Sequence, residues 1–331
     1  LQPALRQGLI LNAARRDMLE PDNLTSSLIV PHFRFLHDRV QQGAYALAPK
    51  EDRPAIRLKI GRLLFAKAST EDLEENLFEI ASHFTECLHL ITGKDELRQI
   101  AALCVRAGER ARASVAYVTS VRFFESARSL LGDDAWLDDY ELSFSTYVGL
   151  AESEYLCGNF DRAELVFMEV MENARSRLER ARIFDLRMKL YQVAGDYEGG
   201  LELGIEALKL YGIELPGNDE LMEQEAHEGF EKARAHFADR PIASLLDVSP
   251  IDDPDKRMIV DLLVGSLPCA YIGRPKTFPW LEMQALNHAL EYGNTESSCF
   301  AYSAFGIVLI SLFGDSKSAY EFSRVSLALN E

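Results

Sequence analysis

The residues best suited to chemistry gather on one stretch. His83, Glu86, Cys87 and His89 fall on a single helical pattern. Glu86 and His89 have the i, i+3 spacing used by carboxylate-bridged metal sites, but such sites need two copies of the motif and further carboxylates. The chain holds no second copy, so these four residues are expected to be satisfied polar groups on a solvent edge. Gly93-Lys94 lacks the earlier Gly, the following Ser or Thr and the preceding strand of a phosphate-binding loop. No Gly-x-Ser-x-Gly and no His-Glu-x-x-His occurs, and His37-Asp38-Arg39 lacks the downstream Asn of a kinase catalytic loop. The expectation is a segment that is not itself an enzyme and holds no cofactor or metal of its own.

Composition narrows the partners. The chain has 331 residues, 47% of them hydrophobic, enough for more than one core. Its net charge is -17, unevenly spread: residues 1–66 hold ten Lys/Arg against six Asp/Glu, and the remainder holds 25 against 46. The sign change predicts a boundary near residue 66. The acidic part excludes a nucleic-acid surface, which needs clustered cations to displace counterions from phosphates. Cys87, Cys104, Cys157, Cys269 and Cys299 are odd in number, far apart and set in apolar helical patterns, as buried free thiols of a reducing, cytoplasmic compartment are. The longest uncharged run, Ser297 to Gly314, is broken by Ser and Gly and reads as a buried helix, not a membrane span. The chain begins with Leu and stops inside a running helical pattern, so it is expected to be a piece of a longer protein.

The elements follow from local pattern. Leu9-Ile10-Leu11 and His32-Phe33-Arg34-Phe35 read as short strands around a loop. Asp38 is placed to cap a helix carrying Val40, Ala44 and Leu47 on one face, ended by Pro49. Asp52 and Pro54 restart a helix whose buried stripe is expected at Ile56, Ile60, Leu63 and Leu64. Ser69/Asp72 and Thr92/Asp95 have capping-box-like spacing before two further helices.

An internal repeat comes next. Gly158-Asn159-Phe160, with Ala163 and Phe167, recurs 37 residues later as Gly195-Asp196-Tyr197, with Gly200 and Gly204. Tyr117, Ser120 and Phe124 share the spacing, as do Ser316, Ala319 and Ser323. Ala127, Ala207 and Ser326 extend it. Small residues at these sites let two helices approach closely, and the pattern resembles the tetratricopeptide repeat. One such pair cannot bury its own apolar face, so pairs are expected to stack as a solenoid. Tyr155 and Tyr191, on the first helices of two pairs, are candidates for lining a partner-binding groove. The turn aromatics Phe160 and Tyr197 are expected to pack between helices, and Glu220, Glu223, Glu225 and Glu228 to form a solvated face.

Residues 33–64 carry a second resemblance. His37-Asp38-Arg39-Val40-Gln41-Gln42 and Tyr45, between a strand and a helix beginning near Arg53-Pro54, look like the end of the winged-helix domain in STAND-type signal-transduction ATPases, as found in large multidomain sensor kinases. Gly43 stands where that family more often has Ala. The resemblance implies a parent chain with kinase and AAA-like ATPase modules that use ATP or ADP and Mg. It makes His37 a possible sensor of the ADP phosphate, since an imidazole can donate to phosphate.

The fold expected is mainly α: the end of a winged-helix domain (1–66), a helical connector (67–112), tetratricopeptide-like repeats (113–212), an irregular helix and linker (213–254) and further helical pairs (255–331). The function expected is that of a regulatory segment that binds protein partners or neighbouring domains, with no nucleic acid and no membrane insertion. The alternative is a stand-alone helical-repeat adaptor without an ATPase.

Overall fold

The computed structural model describes residues 10–12, 33–35, 37, 40, 43–45 and 47–330. The chain is mainly helical. Its contacts divide it into two units, Leu1–Leu103 and Cys104–Glu331.

In the first unit, β1 (Ile10–Asn12) and β2 (Phe33–Phe35) pair antiparallel, Ile10 opposite Phe35 and Asn12 opposite Phe33. Both strands read from the sequence are therefore present. Of the helix expected after Asp38, residues 40 and 43–45 are helical. Asp38 lies outside the described residues. Leu47 is 87% exposed and does not share a buried face.

Helix α1 (Arg53–Lys67) carries Pro54 in its first turn, where a missing N–H leaves no helical bond unmade. Its buried stripe differs from expectation. Leu63 and Leu64 are exposed, and Leu58 and Gly61 are buried instead. Gly61 is the reason. A β-carbon there would lie 3.1 Å from both His83 Cβ and Phe84 Cζ, so the bare backbone draws that face inward.

The helix expected after Ser69 is two helices, α2 (Thr70–Glu75) and α3 (Leu77–Thr85). The capping box is formed: Ser69 Oγ accepts from Asp72 N at 3.1 Å and Asp72 Oδ2 accepts from Ser69 N at 3.1 Å. Asn76 interrupts the run, its side-chain amide donating to Asp72 C=O at 2.9 Å. Helix α4 (Lys94–Ala113) begins past Gly93, whose carbonyl takes the Leu97 N–H at 2.9 Å, one residue later than a Thr92 cap would set it.

In the second unit, most helices pair with a neighbour in sequence. The division between units falls inside α4, and α4 is followed by α5 (Tyr117–Leu131). After a single-turn α6 (Ala135–Asp138), α7 (Tyr140–Leu156) pairs with α8 (Phe160–Asn173), and α9 (Arg177–Ala194) with α10 (Tyr197–Lys209). An acidic α11 (Asp219–His236) packs on α13 (Phe278–Tyr292), the partner of α12 (Pro254–Gly273). The pair α14 (Ser298–Phe313) and α15 (Ser316–Leu329) follows. Each pair also touches the next, α5 on α7, α10 on α12 and α13 on α14. One apolar core runs from Ala181 to Val325. The segment Pro241 to Pro254, expected as a linker, contributes buried Ile242, Leu245 and Ile251 to it.

The repeat sets the helix starts. α5, α8, α10 and α15 begin on Tyr117, Phe160, Tyr197 and Ser316. Three residues on, Ser120, Ala163, Gly200 and Ala319 are all buried. At the next shared position Phe124, Phe167 and Gly204 are buried but Ser323 is exposed, and Phe322 turns inward instead. Two residues before each start, Gly158, Gly195 and Gly314 adopt φ of +82°, +82° and +66°. That left-handed turn is open to Gly at no steric cost. The equivalent position before Tyr117 is Val115, at φ +62°.

Candidate functional site

His37 lies two residues beyond β2, where the chain turns: its carbonyl accepts the Val40 N–H at 2.8 Å, and its side chain is exposed. Asp38, Arg39, Gln41 and Gln42 of the same motif lie outside the described residues. Tyr45, at the motif's end, is tied to α1. Arg57 Nε donates to Tyr45 Oη at 3.0 Å, and the guanidinium groups of Arg57 and Arg53 lie 5.0 and 5.6 Å from the ring centroid. Such cation–ring contacts contribute about 0.5–1 kcal/mol when partly exposed. Arg57 also pairs with Glu86 at 2.8 Å, and Arg62 grips Glu96 with two bonds of 2.6 and 2.8 Å.

Of the four residues with metal-like spacing, Glu86 and Cys87 are engaged otherwise, and His83 Nδ1 is buried without a hydrogen-bond partner. Glu86 pairs with Arg57. Cys87 Sγ donates to the His83 carbonyl at 3.1 Å, and burial pushes this thiol above its usual range. Burial, aided by Arg57, lowers the His83 imidazole. Among the described residues no group of three or more His, Cys, Asp or Glu gathers closely enough to hold a metal ion.

Tyr155 and Tyr191 are brought together. Their rings stack at 5.8 Å, and Tyr155 also meets Phe160 edge-on at 4.8 Å. Tyr155 is only 8% exposed, so its surface is taken up by these neighbours. Tyr191 is half-buried, and its Oη donates to Glu164 Oε1 at 3.3 Å. Arg187 pairs with the same carboxylate. Burial raises both phenols above their usual range. Of the turn aromatics, Phe160 stays about half exposed beside Tyr155.

Two carboxyls inside the fold escaped the sequence reading. Glu154 is fully buried, with Oε2 accepting from Asn159 Nδ2 at 2.6 Å and Oε1 2.9 Å from Arg162 Nε. Glu282, on α13, is fully buried and neither oxygen has a hydrogen-bond partner. Desolvation holds its carboxyl well above the usual carboxylate range, which favours the neutral acid. Also missed is a groove between α11, α13 and α14, floored by Met222 and Met283 and walled by Phe230 and Phe313. Its one sequence signal is the uncharged α14 opposite the acidic α11.

Among the described residues no helix is long and apolar enough to cross a membrane. No family model and no solved structure matches the chain. It is 25% identical over 345 aligned residues to a protein of Dictyostelium discoideum described as hybrid signal transduction histidine kinase G. The match covers 90% of this chain and 10% of that protein. The chain thus corresponds to about a tenth of a much longer relative, and the similarity supports a signal-transduction kinase context.

Proposed function

We propose that this chain is the regulatory and protein-interaction segment of a multidomain signalling kinase, coupling a binding event on its helical pairs to a neighbouring nucleotide-binding module. The similarity to a hybrid histidine kinase carries this reading. The helical pairs, with their shared left-handed turns and buried small residues, support a tetratricopeptide-like solenoid as the binding part. The strand pair before His37 supports a winged-helix end.

In this reading the neighbouring module supplies ATP or ADP, Mg and the phosphate-binding loop. This chain offers the exposed His37, whose imidazole donates to the ADP phosphate and favours the closed state. Tyr45, held by Arg53 and Arg57, ties that junction to α1. A partner bound to the helices shifts the equilibrium only by its differential affinity for the two states.

The test is ADP retention in the full-length protein. His37→Ala is expected to speed release of a fluorescent ADP analogue and to raise basal activity. Release rates equal to those of the unaltered protein would reject the sensor role. A full-length chain that binds no nucleotide would reject the ATPase coupling altogether.

A further inference from the structure

The strongest unassigned surface is the groove between α11, α13 and α14. Its volume is about 310 Å³. Met222, Ala226 and Phe230 come from α11, Met283 from α13, and Val308 and Phe313 from α14. Phe230 and Phe313 stack face to face at 3.8 Å, which closes one end. The other walls are fixed as well. Trp280 Nε1 donates to Glu225 at 2.8 Å, Asn287 Nδ2 donates to the Gly229 carbonyl at 2.9 Å, and Lys276 pairs with Asp219 at 2.5 Å.

The two rims differ in charge. On α11, Glu223 lines the groove and Glu220 stands exposed one turn before it, and no ion pair among the described residues engages either. On α14 no residue is charged, and Leu312 and Phe313 are 61% and 43% exposed above the floor. An occupant must therefore be apolar on one side and cationic on the other. A second copy of this chain, at net charge -17, is repelled, and so is an anionic lipid surface. A small apolar molecule would leave the two carboxylates unpaired. Methionines on the floor adapt to varied side chains.

We propose that this groove binds a basic amphipathic helix, which inserts one bulky apolar side chain between Met222 and Met283 and sets Lys or Arg against Glu220 and Glu223. The helix-in-groove mode supplies affinity from the apolar anchor and specificity from the charges. The inference rests on the reading of this chain as a protein-interaction segment.

The experiment is a fluorescence anisotropy titration of the chain against a labelled peptide of Leu, Phe and Lys at helical spacing, beside its twin with every Lys replaced by Glu. The basic peptide is expected to bind saturably and to weaken as salt rises; its twin is not. Glu220→Lys with Glu223→Lys, both on the surface, should weaken binding at least about tenfold, and so should Ala226→Phe, which fills the groove. If Ala226→Phe fails to fold, the charge pair still decides. Equal binding of both peptides, or unchanged affinity in these variants, overturns the groove and leaves a protein-interaction role standing elsewhere on the chain. A neutral apolar dye that binds where the basic peptide does not makes this a small-molecule site and overturns the proposal. Neither result bears on ADP retention, which tests the coupling role separately.

Discussion

The ring of Phe124 sits so close to Gly149 that a β-carbon on that glycine would lie 2.3 Å from Phe124 Cζ. Gly108 borders the same ring from α4, where a β-carbon would lie 2.8 Å from Cε2. One large residue thus fills a space that two glycines leave. Beside it, Ser120 Oγ donates to the Gly108 carbonyl and lies 2.8 Å from Ser153 Oγ. In α10 the sizes invert: the equivalent of Phe124 is Gly204, where a β-carbon would lie 2.2 Å from Ser266 Oγ of α12.

Gly149→Ala should therefore overpack the α5–α7 contact and cost about 1–3 kcal/mol. Phe124→Leu, which shortens the opposing ring, should recover part of the loss when combined with it. Chemical denaturation of the two single variants and the double variant measures both effects. A single variant as stable as the parent, or a double variant with simply additive losses, would mean that the contact can relax.

Val115 offers a gain. It occupies the left-handed turn that Gly158, Gly195 and Gly314 occupy in the other pairs, with the closing bonds seen at Gly158 and Gly195: Val115 N to Arg112 O and Ala116 N to Ala111 O, each at 2.9 Å. A β-branched residue is strained there by about 1–2 kcal/mol. Val115 is 69% exposed, so little packing is lost on its removal. Val115→Gly should raise stability by about 1 kcal/mol after glycine's extra unfolded-state entropy is subtracted. An equal or lower melting temperature would contradict this.

The phase of the repeat was legible because close helix approach constrains residue size directly. Ser120, Ala163, Gly200 and Ala319 are small and buried for one reason, and their spacing shows it. The stripe on α1 was not legible. Apolar residues at 56, 60, 63 and 64 fit a helical period as well as Leu58, Gly61 and Phe65 do, and only contact with Phe84 selects the second set. The groove was hidden for another reason. Its walls come from helices separated by about forty to ninety residues, and α11 alone reads as a solvated acidic helix. Tyr155 and Tyr191 stand out in the sequence as candidates, but nothing in it shows that they stack on each other.

Arg162 and Glu154 give a third prediction. Glu154 is wholly buried, whereas Arg162 remains half exposed. Removing the arginine as Arg162→Met leaves the carboxylate with Asn159 alone and should destabilise by about 1–3 kcal/mol. Adding Glu154→Gln removes the charge that needed a partner, so the double variant should be more stable than Arg162→Met alone. If it is not, the ion pair contributes nothing beyond the Asn159 bond.

Glu282 gives a pH dependence. Its carboxyl has no hydrogen-bond partner, and desolvation raises it well above the usual carboxylate range. Below the ordinary value of 4.5 it is protonated in both folded and unfolded chains and has no effect on stability. Above that value the unfolded carboxyl ionises before the folded one, whose proton desolvation holds. The unfolded state then binds fewer protons than the native state, so this residue's contribution falls as pH rises, at up to about 1.4 kcal/mol per unit. Glu282→Gln keeps the shape and does not titrate. Between about pH 5 and pH 7 the variant should therefore gain on the parent as pH rises. Denaturation at both pH values for the two proteins isolates this group, because every other acid titrates alike in both. Parallel stability curves would show that Glu282 ionises in the folded chain as readily as in the unfolded one, which would require water or a cation to reach it.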